Sequence, residues 1–306
     1  MSQIEEVAEG TYRLETQIPG VHTLFTIYFI NEDGDGLLIE PGPAALIPTI
    51  QKAVKDLRIK NLEYIIPTHV HLDHAAAVGS LNQLFPQADV VVNSEGAKHV
   101  IDPSRLIMST KIAFGDDFAD IYGAILPVPE SQVKIVRDKD RLSLGSRQLV
   151  IINTPGHAPH HIAIFDTKTK GLFCGEALGL IYAAGSPPLP AVTAPSFDAD
   201  AYLANMERLR ALKPRLLFYS HGGIGKDPEN LISSAVDNTR VIGDVILKAL
   251  ETCESEEAVI PSIGDYIWEK FSVRLDGWDL ASNVKGYIHY LKKHRDLWPN
   301  IDPSKY

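Results

Sequence analysis

The sequence predicts an α/β fold followed by a helical C-terminal region. Three observations carry that reading. Short apolar, β-branched runs alternate with turn residues over the first two thirds of the chain. At "LEYIIPTH" (62–69) a strand runs into a loop rich in polar side chains, and a helical pattern follows. From residue 228 onward only helical spacing remains.

The elements follow in order. "TYRLET" (11–16) and "HTLFTIYFI" (22–30) are rich in β-branched and aromatic residues and read as strands. "NEDGDG" supplies turn residues before "LLIE" (37–40) resumes, so a hairpin is expected. "AALIPTIQKAVKDL" (44–57) has the apolar spacing of a helix. "HAAAVGSLNQLF" (74–85) reads as the helix after the "LEYIIPTH" strand, and residues 94–130 as helices with irregular loops. A second β-rich block comprises "SQVKIV", "DRLSLG", "RQLVIINTPGH", "HIAIFD" and "GLFCGE". The Pro-rich stretch 180–197 is a loop. "DADAYLANMERLRAL" is a helix with Asp198 as its N-cap, and "RLLFYSHGG" is a last strand. The expected division is an α/β domain over 1–227 and a helical region over 228–306, packed tightly because no linker composition separates them.

Bulk properties narrow the function. The chain has 306 residues, 45% of them hydrophobic, and a net charge of −10. An acidic surface repels phosphate backbones, so nucleic acid is not an expected partner. "KGYIHYLKKHR" is the one basic stretch and reads as a solvated helix face. The N-terminal "MSQIEEVAEG" lacks the apolar run of a signal peptide, and no segment has the length of a membrane span. Two cysteines, Cys174 and Cys253, provide neither a disulfide framework nor a thiolate metal cluster. The expected setting is the cytoplasm, with a small-molecule substrate and no membrane; a homo-oligomer is left open.

The chemistry is concentrated in "PTHVHLDHAAAVGSL" (67–81), which places His69, His71, Asp73 and His74 within six positions. A buried core has no use for such a cluster, whereas a metal site does. His69 and His71 alternate on an extended stretch and can point the same way. Asp73 and His74 sit at the turn into the next helix. The segment therefore offers two ligand pairs, suited to zinc, iron or manganese. Three later strand ends can complete them: His157 in "NTPGHAPHH", Glu176 in "LFCGEAL" and His221 in "FYSHGG". No nucleophile triad competes, because Ser220 and His221 are neighbours on a strand and face opposite ways. "HGGIGKDPE" lacks the spacing of a phosphate loop.

"THVHLDH" resembles the HxHxDH motif of the metallo-β-lactamase-fold superfamily. "LLIEPGP", "TPGHAPHHIAIF", "LFCGEALG" and "LLFYSHGG" resemble the other motifs of that family in order and approximate spacing over residues 7–225. The resemblance implies an αββα sandwich carrying two divalent metal ions, zinc first and iron or manganese after it. His69, His71 and His157 would hold one ion, and Asp73, His74 and His221 the other. Glu176 stands where the family bridges both ions with Asp, and its longer arm can change the bridging mode. Glu40 replaces another family Asp and is expected behind the ligands, orienting a histidine; a plain strand-end charge is the competing reading. His161 is expected to support the site without binding metal. His160, where Gly is frequent, is expected at the surface or pocket rim. Cys174 is expected in the core, and Tyr182 is a candidate pocket residue.

The resemblance implies a hydrolase of a small ester, thioester or lactone, similar to glyoxalase II and the lactonases. Two cations would lower the pKa of a shared water toward about 7, and Asp73 would orient the resulting hydroxide or take its proton. The helix "SNVKGYIHYLKKH" would overhang the ions. The alternative is a diiron protein that binds, reduces or senses oxygen, which the added carboxylate character of Glu176 favours. Against it, the chain has no room for an attached flavodoxin domain, and His71 stands where flavodiiron proteins often carry Glu. A nuclease is disfavoured by the acidic balance.

Overall fold

A computed structural model describes residues 4–294 apart from 20, 22, 23, 117, 184, 254 and 276. The chain forms two compact units. The first comprises residues 1–153 and 160–175, the second 154–159 and 176–306.

The first unit contains a seven-stranded sheet: β1 (Ile4–Ala8), β2 (Thr11–Thr16), β3 (Phe25–Glu32), β4 (Asp35–Ile39), β5 (Asn61–Ile66), β6 (Asp89–Asn93) and β7 (Val133–Val136), in that spatial order. The first four pair antiparallel, and β4 through β7 pair parallel. Parallel pairing requires crossovers, and helices supply them. These are α1 (Ile47–Asp56), α2 (Leu72–Ala75), α3 (Val78–Leu84), α4 (Ser94–Ile101), α5 (Ser104–Phe114) and α6 (Phe118–Tyr122).

Strand β3 is buried along Phe25–Ile30 on both faces, which explains its unbroken apolar run. Ile27 and Phe29 belong to a core shared with Ile50 and Ala53 of α1, Leu81 of α3 and Val100 of α4. Tyr28 points the other way, edge-on to Phe173 at 5.3 Å. Phe173 lies on β11 (Gly171–Gly175), a strand of a second antiparallel set with β8 (Arg141–Leu144), β9 (Arg147–Asn153) and β10 (Ile162–Asp166). Helices, sheet and second sheet are therefore stacked as layers in this unit.

Between the two strand sets sits fully buried Arg147. Its guanidinium donates to Asp166 Oδ2 at 2.6 Å, Glu32 Oε1 at 3.0 Å, Thr11 Oγ1 at 2.7 Å and the Glu9 carbonyl at 3.0 Å. A buried guanidinium needs this many acceptors to offset its desolvation.

The second unit holds α7 (Ala199–Ala211), the hairpin β12 (Leu216–Tyr219) and β13 (Ile224–Gly225), and three longer helices: α8 (Pro228–Thr252), α9 (Glu256–Phe271) and α10 (Gly277–His294). Asp198 caps α7 by accepting from Ala201 N–H at 3.1 Å, as expected from sequence. The Pro-rich stretch 180–197 has no strand or helix among its described residues beyond one bridge, Leu180 to Leu189.

Three differences from the sequence reading are informative. Residues 74–85 are not one helix. The His74 carbonyl accepts from Gly42 N–H at 3.1 Å and Ala77 N–H donates to the Gly42 carbonyl at 2.9 Å. Those tertiary bonds take the groups a continuous helix would use, so it divides into α2 and α3. "SQVKIV" pairs with β6 in the first sheet instead of joining the second β block. The strand β6 itself, "DVVVN", is an element that the sequence reading does not contain. The last part of the predicted helical region, 295–306, lies outside the described residues, as do His22 and Thr23 of the predicted second strand.

Candidate metal centre

In the first unit, strands β4 and β5 end side by side, and their following loops carry the polar cluster. Pro67–Val70 extends the chain beyond β5, then α2 begins with His71 as its N-cap residue. His69 Nε2 lies 2.9 Å from His71 Nδ1. The rings of His69 and His74 are 4.0 Å apart, and His74 Nε2 lies 3.2 Å from Asp73 Oδ2. The four residues of the motif thus converge. His69 and His74 are each 1% exposed, while the Asp73 side chain keeps 36% exposure, so one carboxylate of the cluster faces solvent.

Groups behind these rings fix their orientation. Glu40, at the end of β4, is buried and brings Oε2 to 2.5 Å from His74 Nδ1. A carboxylate there accepts the Nδ1 proton, leaving Nε2 with its lone pair. This is the orienting role expected of Glu40, and not a simple strand-end charge. Thr68 Oγ1 lies 3.1 Å from His69 Nδ1. His161 is buried and stacks on His69 at 5.0 Å. His160 is more than a rim residue. Its Nδ1 accepts from Val70 N–H at 3.3 Å, and its ring stands edge-on to His71 at 5.5 Å. It holds the backbone between the two alternating histidines.

In the second unit, Glu176 lies between two imidazoles. Its Oε2 is 2.9 Å from His157 Nε2, and its Oε1 is 3.5 Å from His221 Nε2. His157 and Glu176 are buried, and His221 is partly exposed. His157 Nδ1 donates to the Ala191 carbonyl at 3.1 Å, with Thr193 Oγ1 at 3.2 Å. A carbonyl can only accept, so the proton of neutral His157 is on Nδ1 and its Nε2 is a donor atom for metal. Tyr202 OH donates to the Glu176 carbonyl at 2.7 Å. Sequence reading did not find Thr193, Ala191 or Tyr202, since a loop carbonyl carries no signal in residue type. Tyr182 is half-buried in its loop.

Within each unit the donors suit a transition-metal or zinc ion. Imidazole nitrogens crowd within about 3 Å of one another or of a carboxylate oxygen, and in His74 and His157 the second ring nitrogen is already committed to an acceptor. Cys174, next but one to Glu176, is fully buried, and burial pushes its thiol pKa well up. It is a core residue and not a nucleophile.

Comparison with known proteins agrees with this geometry. The profile of the metallo-beta-lactamase superfamily matches residues 26–221. The chain belongs to that superfamily. A metallo-beta-lactamase fold-containing protein of Sulfurisphaera tokodaii is 28% identical over 169 residues, covering 54% of this chain and 62% of the relative. A hydroxyacylglutathione hydrolase of Methylococcus capsulatus is 27% identical over 198 residues, covering 64% of this chain and 60% of the relative. The chain therefore spans about three fifths of these relatives' lengths. The crystal structure of a metallo-beta-lactamase family protein from Thermus thermophilus superposes with a TM-score of 0.71 at 18% identity, covering 94% of this chain and 95% of that one. That likeness establishes the fold, helical C-terminal region included.

Proposed function

We propose that the protein is a dinuclear metal-dependent hydrolase of a small ester, thioester or lactone, with two divalent ions, zinc first, as cofactors. In this reading, which superfamily membership supports, His69, His71 and His157 would hold one ion, Asp73, His74 and His221 the other, and Glu176 would serve both. The observation that carries it is the disposition of Glu176, one oxygen toward His157 and the other toward His221. A carboxylate so placed would offer one oxygen to each ligand set, and its longer arm keeps it within reach of both histidines. Superfamily membership and relatives named hydroxyacylglutathione hydrolase support acyl hydrolysis as the reaction class.

The ions, when bound, supply Lewis acidity and an activated water. The residues do the rest. Glu40 and the Ala191 carbonyl hold His74 and His157 in one tautomer and one orientation. Asp73, with its partly exposed carboxylate, would orient the attacking water or take its proton. No helix among the described residues is long and apolar enough to cross a membrane, and a small-molecule substrate met in the cytoplasm is part of the proposal.

The test is turnover of a panel of p-nitrophenyl esters, S-acyl thioesters and lactones by protein loaded with zinc, iron or manganese. The expected result is hydrolysis of one class, abolished by chelation and by the double change His69→Ala with His71→Ala, which should also remove bound metal. Glu176→Asp should keep the metals and alter the rate. Protein purified without air that carries two irons, shows an oxygen-sensitive visible band and turns over none of the panel would replace hydrolysis with oxygen chemistry.

A further inference from the structure

Helix α10 contains a glycine, Gly286, in its interior, where glycine disfavours a helix by about 1 kcal/mol relative to alanine. The close approach of another backbone accounts for it. A Cβ at Gly286 would stand 2.4 Å from Val192 Cγ1, 3.3 Å from Ala194 N and 3.4 Å from the Thr193 carbonyl carbon. Helix α10 therefore lies directly against residues 192–194. Within and beside that stretch are the two groups on His157 Nδ1, the Ala191 carbonyl and Thr193 Oγ1.

A second line of contacts runs parallel to the first. Tyr287, the next residue of α10, is fully buried and meets Phe197 edge-on at 5.0 Å. Phe197 meets Tyr202 at 5.5 Å, and the Tyr202 hydroxyl holds both the Glu176 carbonyl and Ala191 N–H. Tyr287 OH donates to the Thr239 carbonyl of α8 at 2.8 Å, which anchors α10 in turn. The loop 191–197 has no strand ladder of its own to hold it. Its own turn bonds, from Ser196 N–H and Phe197 N–H to the Thr193 carbonyl, are backed by the close packing of α10 against it.

We propose that α10 is the positioning element for the His157 side of the metal centre, and that Gly286 is the contact through which it acts. The proposal rests on the reading of His157 as a metal ligand. It differs from a helix that overhangs the substrate, because these residues act from behind the ligand. Groups that orient a ligating histidine are typically worth about 10–100-fold in metal affinity.

The experiment measures cobalt(II) affinity by competition with a chelator, and the visible spectrum of the bound cobalt, on the full-length protein. Gly286→Ala should weaken cobalt binding about 10–100-fold and alter the spectrum while leaving the far-ultraviolet circular dichroism unchanged. Adding Val192→Ala to that variant removes the methyl groups in the way and should restore affinity. Unchanged affinity in Gly286→Ala, or a double variant as weak as the single one, would overturn the proposal. Should Gly286→Ala fail to fold, Val192→Ala alone carries the test. It opens the same contact instead of crowding it, so a several-fold loss is expected and wild-type affinity would overturn the idea. His157→Ala separates the two readings. If it loses cobalt while the α10 variants do not, the ligand assignment stands and the positioning role falls. If it keeps all its cobalt, the ligand assignment itself falls.

Discussion

Glu40 shows how much a single side chain decides. Its backbone φ is +59°, a left-handed conformation uncommon for a residue with a Cβ. Such a residue costs on the order of 1–3 kcal/mol and persists only where its surroundings demand it. The demand here is a buried carboxylate 2.5 Å from His74 Nδ1. Glu40→Gln keeps the shape and removes the charge. It should weaken metal binding about 10–100-fold with little change in melting temperature, measured by chelator competition beside thermal unfolding. Wild-type affinity would reduce Glu40 to a structural group. His160 acts at the same scale, since it holds the Val70 amide between two candidate ligands.

At the scale of elements, the site is built where strands end and helices begin. The break between α2 and α3 is one device, because it frees the His74 carbonyl to bond Gly42. The packing of α3 is another. A Cβ on Gly79 would stand 2.0 Å from the Leu126 carbonyl oxygen, and that atom belongs to backbone and cannot rotate away. Gly79→Ala would gain about 1 kcal/mol of helix propensity on an isolated helix. In this fold it should instead destabilise by about 1–3 kcal/mol through overpacking, read as a lower urea midpoint. A stabilised variant would show that α3 and the 126 segment are not in contact. The strand β7 teaches a related lesson. Its residues read from sequence as part of the second β-rich block, whereas the structure pairs them parallel with β6 in the first sheet.

At the scale of the whole molecule, the buried ion network around Arg147 couples folding to pH through Asp166. Burial pushes the Asp166 carboxyl up, but hydrogen bonds from Arg147 and Thr169 outweigh it and hold the carboxyl below the usual carboxylate range. A carboxyl whose pKa is lower folded than unfolded stabilises the fold fully above its unfolded value of about 3.9. That contribution is lost as pH falls through the folded pKa. Asp166→Asn should therefore destabilise at neutral pH, by about 3–5 kcal/mol or somewhat less because Glu32 still faces the guanidinium. It should also flatten the fall in stability below about pH 4. Urea midpoints across pH 3–7 check both effects; an unchanged acid limb would mean that other carboxylates govern acid unfolding. Bound metal adds stability in proportion to the logarithm of its concentration over Kd, so these measurements belong at fixed metal.

The sequence by itself determined the α/β fold and the candidate ligands, because both are written locally. Alternating apolar residues specify strands, and a His-x-His-x-Asp-His run has few uses besides metal. It determined the superfamily through motifs that recur in order along the chain. What only the tertiary structure decided are the groups whose meaning depends on distant neighbours. Those are the tautomer of His157, set by a loop carbonyl; the role of His160, set by an amide 90 residues away; the sheet that β7 joins; and the reason α10 carries a glycine. A backbone carbonyl or a close approach has no residue type to announce it, so these contacts become legible only when the chain has folded around them.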